Sequence, residues 1–412
     1  MQNRILKDFL TPRLQRNGKL LLGFSGGPDS MALLHLLMEA KKTLDFSLHL
    51  AHVDHGWRKE SGKEGEALKK MAHDLALPFH LHRLEKMEGG DLENRARIER
   101  LAFFTKLQKE HGFQALLLAH HRDDQGETVF KRVAEGAGIK GLGGLYPERR
   151  QGDLLIWRPL LPFSKKELIT YLEEKGLHFF DDETNRDPTY LRARMRESLF
   201  PELEKIFGKR MEGNFARLGK LCQELSFYFE EKSQKIHETL KSGPFGTYLD
   251  LDLGFHPLEI QFFLKEFSPI THDALEVLMK LIHEKKSSRE VHAAPYTFQL
   301  SRSYLFIYKE AFPNFFENRE LWEEGEEGDW KTFWEGKVRV PQGKWEIKSL
   351  LELEPSLRKK MKKWYGSQRV PPFFYEKAPI FIREGRVIGE SLSGKSFKSF
   401  QKNKNHIKLV DC

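Results

Sequence analysis

The chain has 412 residues, 39% of them hydrophobic, and 68 Lys and Arg against 60 Asp and Glu give a net charge of +8. Thirty-two Phe, seven Trp and ten Tyr exclude disorder over most of the length, the length suggests about two or three domains, and no apolar run reaches the roughly 18 residues of a membrane span. Cys222 and Cys412 are too far apart and too few for a disulfide framework or a Cys-rich metal site, and the basic start lacks a signal peptide's apolar core, so a soluble, cytoplasmic protein without membrane contact is expected, its charge compatible with a polyanionic partner.

From the start of the chain, short apolar runs alternate with amphipathic stretches. The runs at 19–25, 47–53, 78–84 and 115–120 read as strands, and the segments after them carry apolar residues at helical spacing. Strand and helix in alternation specify an α/β fold with a parallel sheet and helices on both faces. Ligands in such sheets bind beyond the carboxyl ends of the strands. From about residue 196 the pattern is helical, long and charged; residues 246–310 read as helices ending in a hairpin. An acidic stretch at 317–330 precedes a small β-rich unit, a basic helix and a second hairpin at 378–392.

The first strand runs into Ser25-Gly26-Gly27-Pro28-Asp29-Ser30. Gly26 and Gly27 let backbone N–H groups approach an anion, Pro28 suits a first helical turn, and the helix that follows presents its positive end. Ser25 and Ser30 add hydroxyl donors. The loop is neither a Walker A sequence nor GxGxxG, and on its own chemistry it is a capped turn or an anion cradle.

The six-residue string resembles the PP-loop of ATP pyrophosphatases. With AHVDHGWR (51–58), ENRARIERLAFF (93–104), LAHHRDDQGETVFKRVAEGAGIKGLGGL (118–145), DDETNRDPTYLRARMRESLFPELE (181–204) and the segment 357–390, the chain is similar to the tRNA(Ile)-lysidine synthetase family. The resemblance implies a parallel-sheet PP-loop domain of the adenine nucleotide α-hydrolase type at 1–205, a helical linker and middle tRNA-binding domain at 206–315, and a small α+β tRNA-binding domain at 316–412. It implies ligation of L-lysine to C2 of the wobble cytidine in the CAU anticodon of isoleucine tRNA, through an adenylated tRNA, with ATP as co-substrate and Mg2+ as cofactor. Monomer and homodimer are both left open.

Ser25, Gly26, Gly27, Pro28, Asp29 and Ser30 then form the pyrophosphate seat, with Asp29 and Asp124 as magnesium ligands. Asp124, Asp123 and Arg97 join Asp29 as catalytic candidates: a carboxylate just past a parallel strand can ligate magnesium or take a proton from the attacking ammonium, and a guanidinium can clamp phosphate or face the cytosine. Arg100 reads as a further candidate for that role or as a solvated helix residue. The tRNA-binding candidates are Arg132 and Lys140 beside the glycine-rich loop 136–145, with Lys131 near them; Arg192, Arg194 and Arg196; and Arg358, Lys359, Lys360, Lys362 and Lys363, with Arg369, around Trp364 and Tyr365. Lys395, Lys398, Lys402, Lys404 and Lys408, interleaved with Phe397 and Phe400, extend that basic surface. Three positions depart from the family pattern: Gly126 replaces an alanine, Glu135 an arginine and Ala193 an asparagine. Two other readings are an alternative PP-loop tRNA-modifying enzyme and a metal-dependent hydrolase built on His52, Asp54, His55, His120, His121 and Asp123.

Overall fold

The computed structural model describes residues 2–54, 61–84, 92–180, 191–285, 289–309, 322–324 and 329–395. His55, the stretch 181–190 and the cationic and aromatic residues after Lys395 lie outside them. The chain divides into two compact units, Met1–Ser226 and Phe227–Cys412.

The first unit opens with α1 (Gln2–Leu10), then alternates β1 (Gly18–Gly23), α2 (Pro28–Lys41), β2 (Phe46–Asp54), α3 (Ser61–Asp74), β3 (Phe79–Arg83), α4 (Leu92–His111), β4 (Ala115–Leu117) and α5 (Arg122–Ala134). After the short α6 (Ile139–Leu142) come β5 (Glu148–Gln151), β6 (Leu154–Trp157) and α7 (Lys165–Glu174). The sheet order is β3-β2-β1-β4-β6-β5, parallel except for the edge strand β5. The four expected strands are present; β5 and β6 escaped the sequence reading because Glu148–Gln151 is wholly exposed and β6 is four residues long.

Central strands of a parallel sheet are covered on both faces, so they lose polar alternation and read as continuous apolar runs. In β1, Leu20 and Leu22 pack into the core on the side of α1, α2 and α7, while Leu21 enters the core on the opposite face with Phe104 and Leu107 of α4. All three leucines are fully buried, so truncating one to alanine costs about 2–5 kcal/mol. The strand order reverses between β1 and β4, which opens a crevice at their carboxyl ends.

The unit closes with α8 (Leu191–Arg194), a single π turn (Met195–Leu199), α9 (Phe200–Phe207) and the start of α10 (Glu212–Thr239). The boundary expected at 205/206 falls instead inside α10. The first half of α10 is bolted to the first unit: Gln223 Nε2 donates to the carbonyls of Gly143 (2.6 Å) and Leu145 (2.9 Å), and the backbone of Glu212 lies so close to Gly126 that a Cβ there would sit 2.4 Å from its carbonyl oxygen.

The second unit carries β7 (Lys241–Gly243), β8 (Gly246–Asp250), α11 (Pro257–Phe267), α12 (His272–His283), β9 (Arg289–Ala293), β10 (Tyr296–Ser301) and β11 (Tyr304–Lys309), the strands forming one antiparallel sheet ordered β7-β8-β11-β10-β9. The middle segment is therefore a helix-on-sheet layer rather than helical alone. Beyond it lie β12 (Trp322–Glu324), α13 (Trp330–Trp334), β13 (Val338–Val340), β14 (Glu346–Lys348), α14 (Pro355–Ser367) and the hairpin β15 (Ile380–Arg383) and β16 (Arg386–Glu390). Alternation along β11 explains why 315/316 is not a boundary between units: Leu305 and Ile307 face the core of α11 and α12, whereas Phe306 and Tyr308 face Trp330, Trp334 and Phe374. One sheet serves both cores.

Candidate active site

The glycine turn lies at the carboxyl end of β1. Gly26 has φ +81° and its carbonyl accepts from Phe180 N at 3.0 Å; a Cβ there would meet Leu68 at 2.8 Å, so the position demands glycine for both backbone and space. Gly27 is the extended residue before α2, with Pro28 in its first turn. Ser25 Oγ and Ser30 Oγ stand 3.1 Å apart, Ser30 Oγ donates to Gly27 O at 3.1 Å, and Ser25 Oγ accepts from Gly27 N at 3.4 Å. Two hydroxyls and the amino end of a 14-residue helix come together here, the arrangement that receives a phosphate group.

Asp29 faces the second arm of the site, at the end of β4. Its Oδ1 is buried without a hydrogen-bond partner, and His121 Nε2 lies 3.7 Å away. Burial raises the Asp29 carboxyl above its ordinary value, countered by His121 and reinforced by Asp124. Asp124 is reached through a capping box: His121 N donates to its Oδ2 at 3.0 Å, and Asp124 N donates to His121 Nδ1 at 3.4 Å. With Nδ1 accepting, neutral His121 carries its proton on Nε2, 3.5 Å from Asp124 Oδ2. Burial would raise the Asp124 carboxyl, but His121, His120 and Arg196 together hold it at about 2. It is a fixed anion.

Arg196, expected on tRNA phosphate, belongs to this site instead. Its Nη2 donates to Asp124 Oδ1 at 2.7 Å, and Nε and Nη2 grip Glu127 at 2.5 and 2.9 Å. Burial raises the Glu127 carboxyl, with Arg196 opposing it, and the two carboxylates keep Arg196 protonated against its own burial. The π turn begins one residue before Arg196, and Arg192 on the preceding α8 also acts on Glu127 and His120, whereas Arg194 is exposed. Ala193 is buried between them. Glu127 was missed by the sequence reading; its only signal was the i, i+3 spacing from Asp124 on a helix whose other face packs inward.

Asp123 turns away from this cluster: Lys165 N, in the first turn of α7, donates to its Oδ2 at 3.0 Å. Arg97 is exposed on α4, in electrostatic range of Arg158. The glycine-rich loop, expected to admit RNA, partly serves packing. Gln125 Nε2 donates to Gly143 O at 2.8 Å and Gln125 Oε1 accepts from Leu145 N at 2.5 Å; Cβ atoms on Gly144 and Gly219 would run into Gln125. Gly136 and Gly138 are open on their side-chain faces. Glu135 is neutralised locally by Arg132 (2.9 Å) and Lys131 (3.7 Å).

In the second unit, Lys359, Lys362 and Lys363 of α14 are exposed and Lys360 half-buried, with Lys362 3.7 Å from Glu376. Arg358 is spent on the carbonyls of Leu351 and Leu353. Trp364 and Tyr365, expected among the cations on the RNA-facing surface, are core residues. They occupy the apolar stripe of the same helix, which the one-dimensional pattern could not separate from the basic stripe.

The histidines expected of a metal-dependent hydrolase are committed elsewhere. His52 Nδ1 bonds Phe24 O at 2.9 Å, His120 Nδ1 accepts from Arg158, and His121 caps α5; among the described residues no group of three or more His, Cys, Asp or Glu side chains is gathered for a metal. Burial raises the Cys222 thiol, which makes it a poor nucleophile. No described helix is long and apolar enough to cross a membrane.

A PP-loop domain model matches residues 1–203. The tRNA(Ile)-lysidine synthase of Protochlamydia amoebophila is 28% identical over 440 aligned positions, which span 98% of this chain and 95% of that protein. The tRNA(Ile)-lysidine synthase of Chlamydia caviae is 37% identical over 248 positions, 58% of this chain and 77% of that protein. Among solved structures, the U34-tRNA thiolase of Methanococcus maripaludis aligns with a TM-score of 0.45 at 18% identity, over 54% of this chain and 78% of that one.

Proposed function

The chain belongs to the tRNA(Ile)-lysidine synthase family, ATP-using ligases that form lysidine on tRNA(Ile), and from that premise we propose how the crevice at the carboxyl ends of β1 and β4 carries out the reaction. The observation that carries the reading is that the hydroxyl-lined turn Ser25–Ser30 brings its Asp29 to His121, on whose Nε2 Asp124 also converges.

The C2 oxygen of the wobble cytidine attacks the α-phosphorus of ATP, and the bond to the bridging oxygen of pyrophosphate breaks. Ser25, Ser30 and the amino end of α2 hold the departing pyrophosphate, whose developing charge they meet with preorganised donors. The ε-amine of L-lysine then attacks C2, the C2–O bond to AMP breaks, and the new C2–N nitrogen gives up one proton, leaving lysidine. Asp29 and Asp124 fit a hard dication that takes one or two carboxylates and completes its shell with water and phosphate oxygens; the unpartnered Oδ1 of Asp29 is a vacant donor for it. Mg2+ there would neutralise phosphate charge. Asp124, held ionised, suits that electrostatic role better than that of a proton acceptor.

The exposed cations Arg132, Lys140, Arg194, Lys359, Lys362 and Lys363, with half-buried Lys360, contact the tRNA backbone, the unit Met1–Ser226 carrying the catalytic site and the unit Phe227–Cys412 supplying further RNA-binding surface. With ATP labelled at the α-phosphate, magnesium and a CAU-anticodon isoleucine tRNA, the protein should accumulate labelled RNA in the absence of lysine, and addition of lysine should release the label as AMP. Asp29→Ala should abolish labelling while retaining tRNA binding. Labelling of lysine in place of RNA would show that the order of the two steps is wrong.

A further inference from the structure

Beside the adenylation crevice, at the carboxyl end of β6, stands a guanidinium that the reaction as written leaves unused. Arg158 is 7% exposed. Its Nε donates to His120 Nδ1 at 3.3 Å and one Nη1 hydrogen goes to Tyr146 O at 2.9 Å, while its own N–H is held by Pro147 O at 2.8 Å. A guanidinium has five N–H donors; two are bonded, and among the described residues no carboxylate answers the charge. Burial, then the charges of two further arginines, Arg149 and Arg97, push Arg158 down to about 10. A buried, unpaired cation is costly. Arg149, paired across the sheet with Ile156 two residues before Arg158, and Arg97 of α4, within electrostatic range, add like charge and raise that cost unless an anion arrives.

We propose that Arg158, Arg149 and Arg97 form a seat for a phosphodiester of the RNA strand next to the target nucleotide. This rests on the reading of the chain as a tRNA-modifying ligase. The anion is RNA phosphate rather than ATP for a geometric reason. The sheet order β1-β4-β6-β5 sets Arg158 two strands from the pyrophosphate turn and Arg149 three strands away, on the exposed edge strand, about 10 and 14 Å at the usual strand spacing. An open edge admits a polymer, and the planar guanidinium fork matches two phosphate oxygens at once. His120 also contributes: because its Nδ1 accepts from Arg158, its ring proton sits on Nε2, so the ring offers a neutral donor beside the cations.

The test compares Arg158→Gln and the two exposed variants, Arg149→Gln and Arg97→Gln, in the full-length protein. Binding of a CAU anticodon stem-loop RNA is measured across a salt series, and ATP binding with the same samples. Each substitution should weaken RNA binding about tenfold, the worth of a charge-assisted contact, and lower the salt slope by a part of the roughly 0.7 to 0.9 that the one phosphate contributes, with ATP affinity unchanged. Arg149 and Arg97 are surface residues, so their variants report even where Arg158→Gln disturbs folding. Unchanged RNA affinity and slope in both surface variants would overturn the seat, as would a loss confined to ATP binding. Wild-type lysine transfer to tRNA, measured in parallel, separates failure of this inference from failure of the ligase reading.

Discussion

Replacing Arg196 by glutamine strands two carboxylates. Asp124 and Glu127 are both buried, and Arg196 makes three hydrogen bonds to them between 2.5 and 2.9 Å. Breaking a buried pair by removing one partner costs about 3–5 kcal/mol, because a charge remains without compensation. The Arg196 side chain is 30% exposed, so water recovers part of that, and about 3 kcal/mol is the expected loss. For a unit of this size it lowers the Tm by roughly 6–12 °C. The pH dependence has a definite sign. Burial already raises the Glu127 carboxyl in the folded state, and loss of Arg196 raises it further; a folded-state value above the unfolded one means the native state holds the extra proton, so stability falls as pH rises through that window. The deficit is therefore largest near pH 7.5 and shrinks toward pH 5. Adding Glu127→Gln to Arg196→Gln removes one stranded charge and should restore at least 1 kcal/mol, a coupling that a double-mutant cycle reads directly. Urea denaturation of the four proteins at both pH values measures it. A loss below 1 kcal/mol for Arg196→Gln, insensitive to pH and to the second substitution, would show that the cluster is not an ion-pair network.

The Gly126→Ala variant places a Cβ 2.4 Å from Glu212 O, a backbone atom that yields only if the start of α10 moves; overpacking costs about 1–3 kcal/mol against about 1 kcal/mol of helix propensity regained, so a net loss near 1 kcal/mol is expected in urea, and a gain would mean that α10 shifts freely. His49 and His80 stack on one another, and His111 lies tilted against both, with ring centroids 4.9–5.9 Å apart. Burial, then His80, His111, Lys19 and Lys41, push His49 down to about 4; burial and His111 lower His80, which Glu110 opposes. Histidines whose folded values are depressed keep full stability above pH 6.5 and lose it as pH falls toward 4, so the Tm should drop across that window, and less in His49→Gln; an unchanged drop would clear the trio of responsibility. Substituting Lys359, Lys360, Lys362 and Lys363 together by glutamine should weaken tRNA binding and flatten its salt dependence; an unaltered slope would make α14 ordinary surface.

Much of the first unit was legible because its determinants are local. Leu20–Leu22 and Ala115–Leu117 are apolar without interruption, as strands buried on both faces must be, and the glycine turn announces its geometry through Gly26. The pairing of Asp124 with Arg196 was not legible, since 72 residues separate them and an arginine gives no sequence sign of whether it meets phosphate or a buried carboxylate. Asp123 and Asp124, adjacent in sequence, meet different partners, the first turn of α7 and Arg196 of the π turn, a consequence of the 100° turn between neighbours on α5. The glycines at 143 and 144 looked like an RNA approach but admit Gln125 and Gln223 instead. Arg158 carried no motif and became visible only through the absence of a counter-charge around it among the described residues.

The central claim, that this crevice ligates lysine to the wobble cytidine through ATP, is tested most directly by incubating the protein with ATP, magnesium, labelled L-lysine and either a CAU-anticodon isoleucine tRNA or a methionine tRNA bearing the same anticodon. Lysine-labelled isoleucine tRNA is expected, with AMP and pyrophosphate formed in equal amounts, and unlabelled methionine tRNA. Absence of label from the isoleucine tRNA, with the protein folded and tRNA bound, would contradict it.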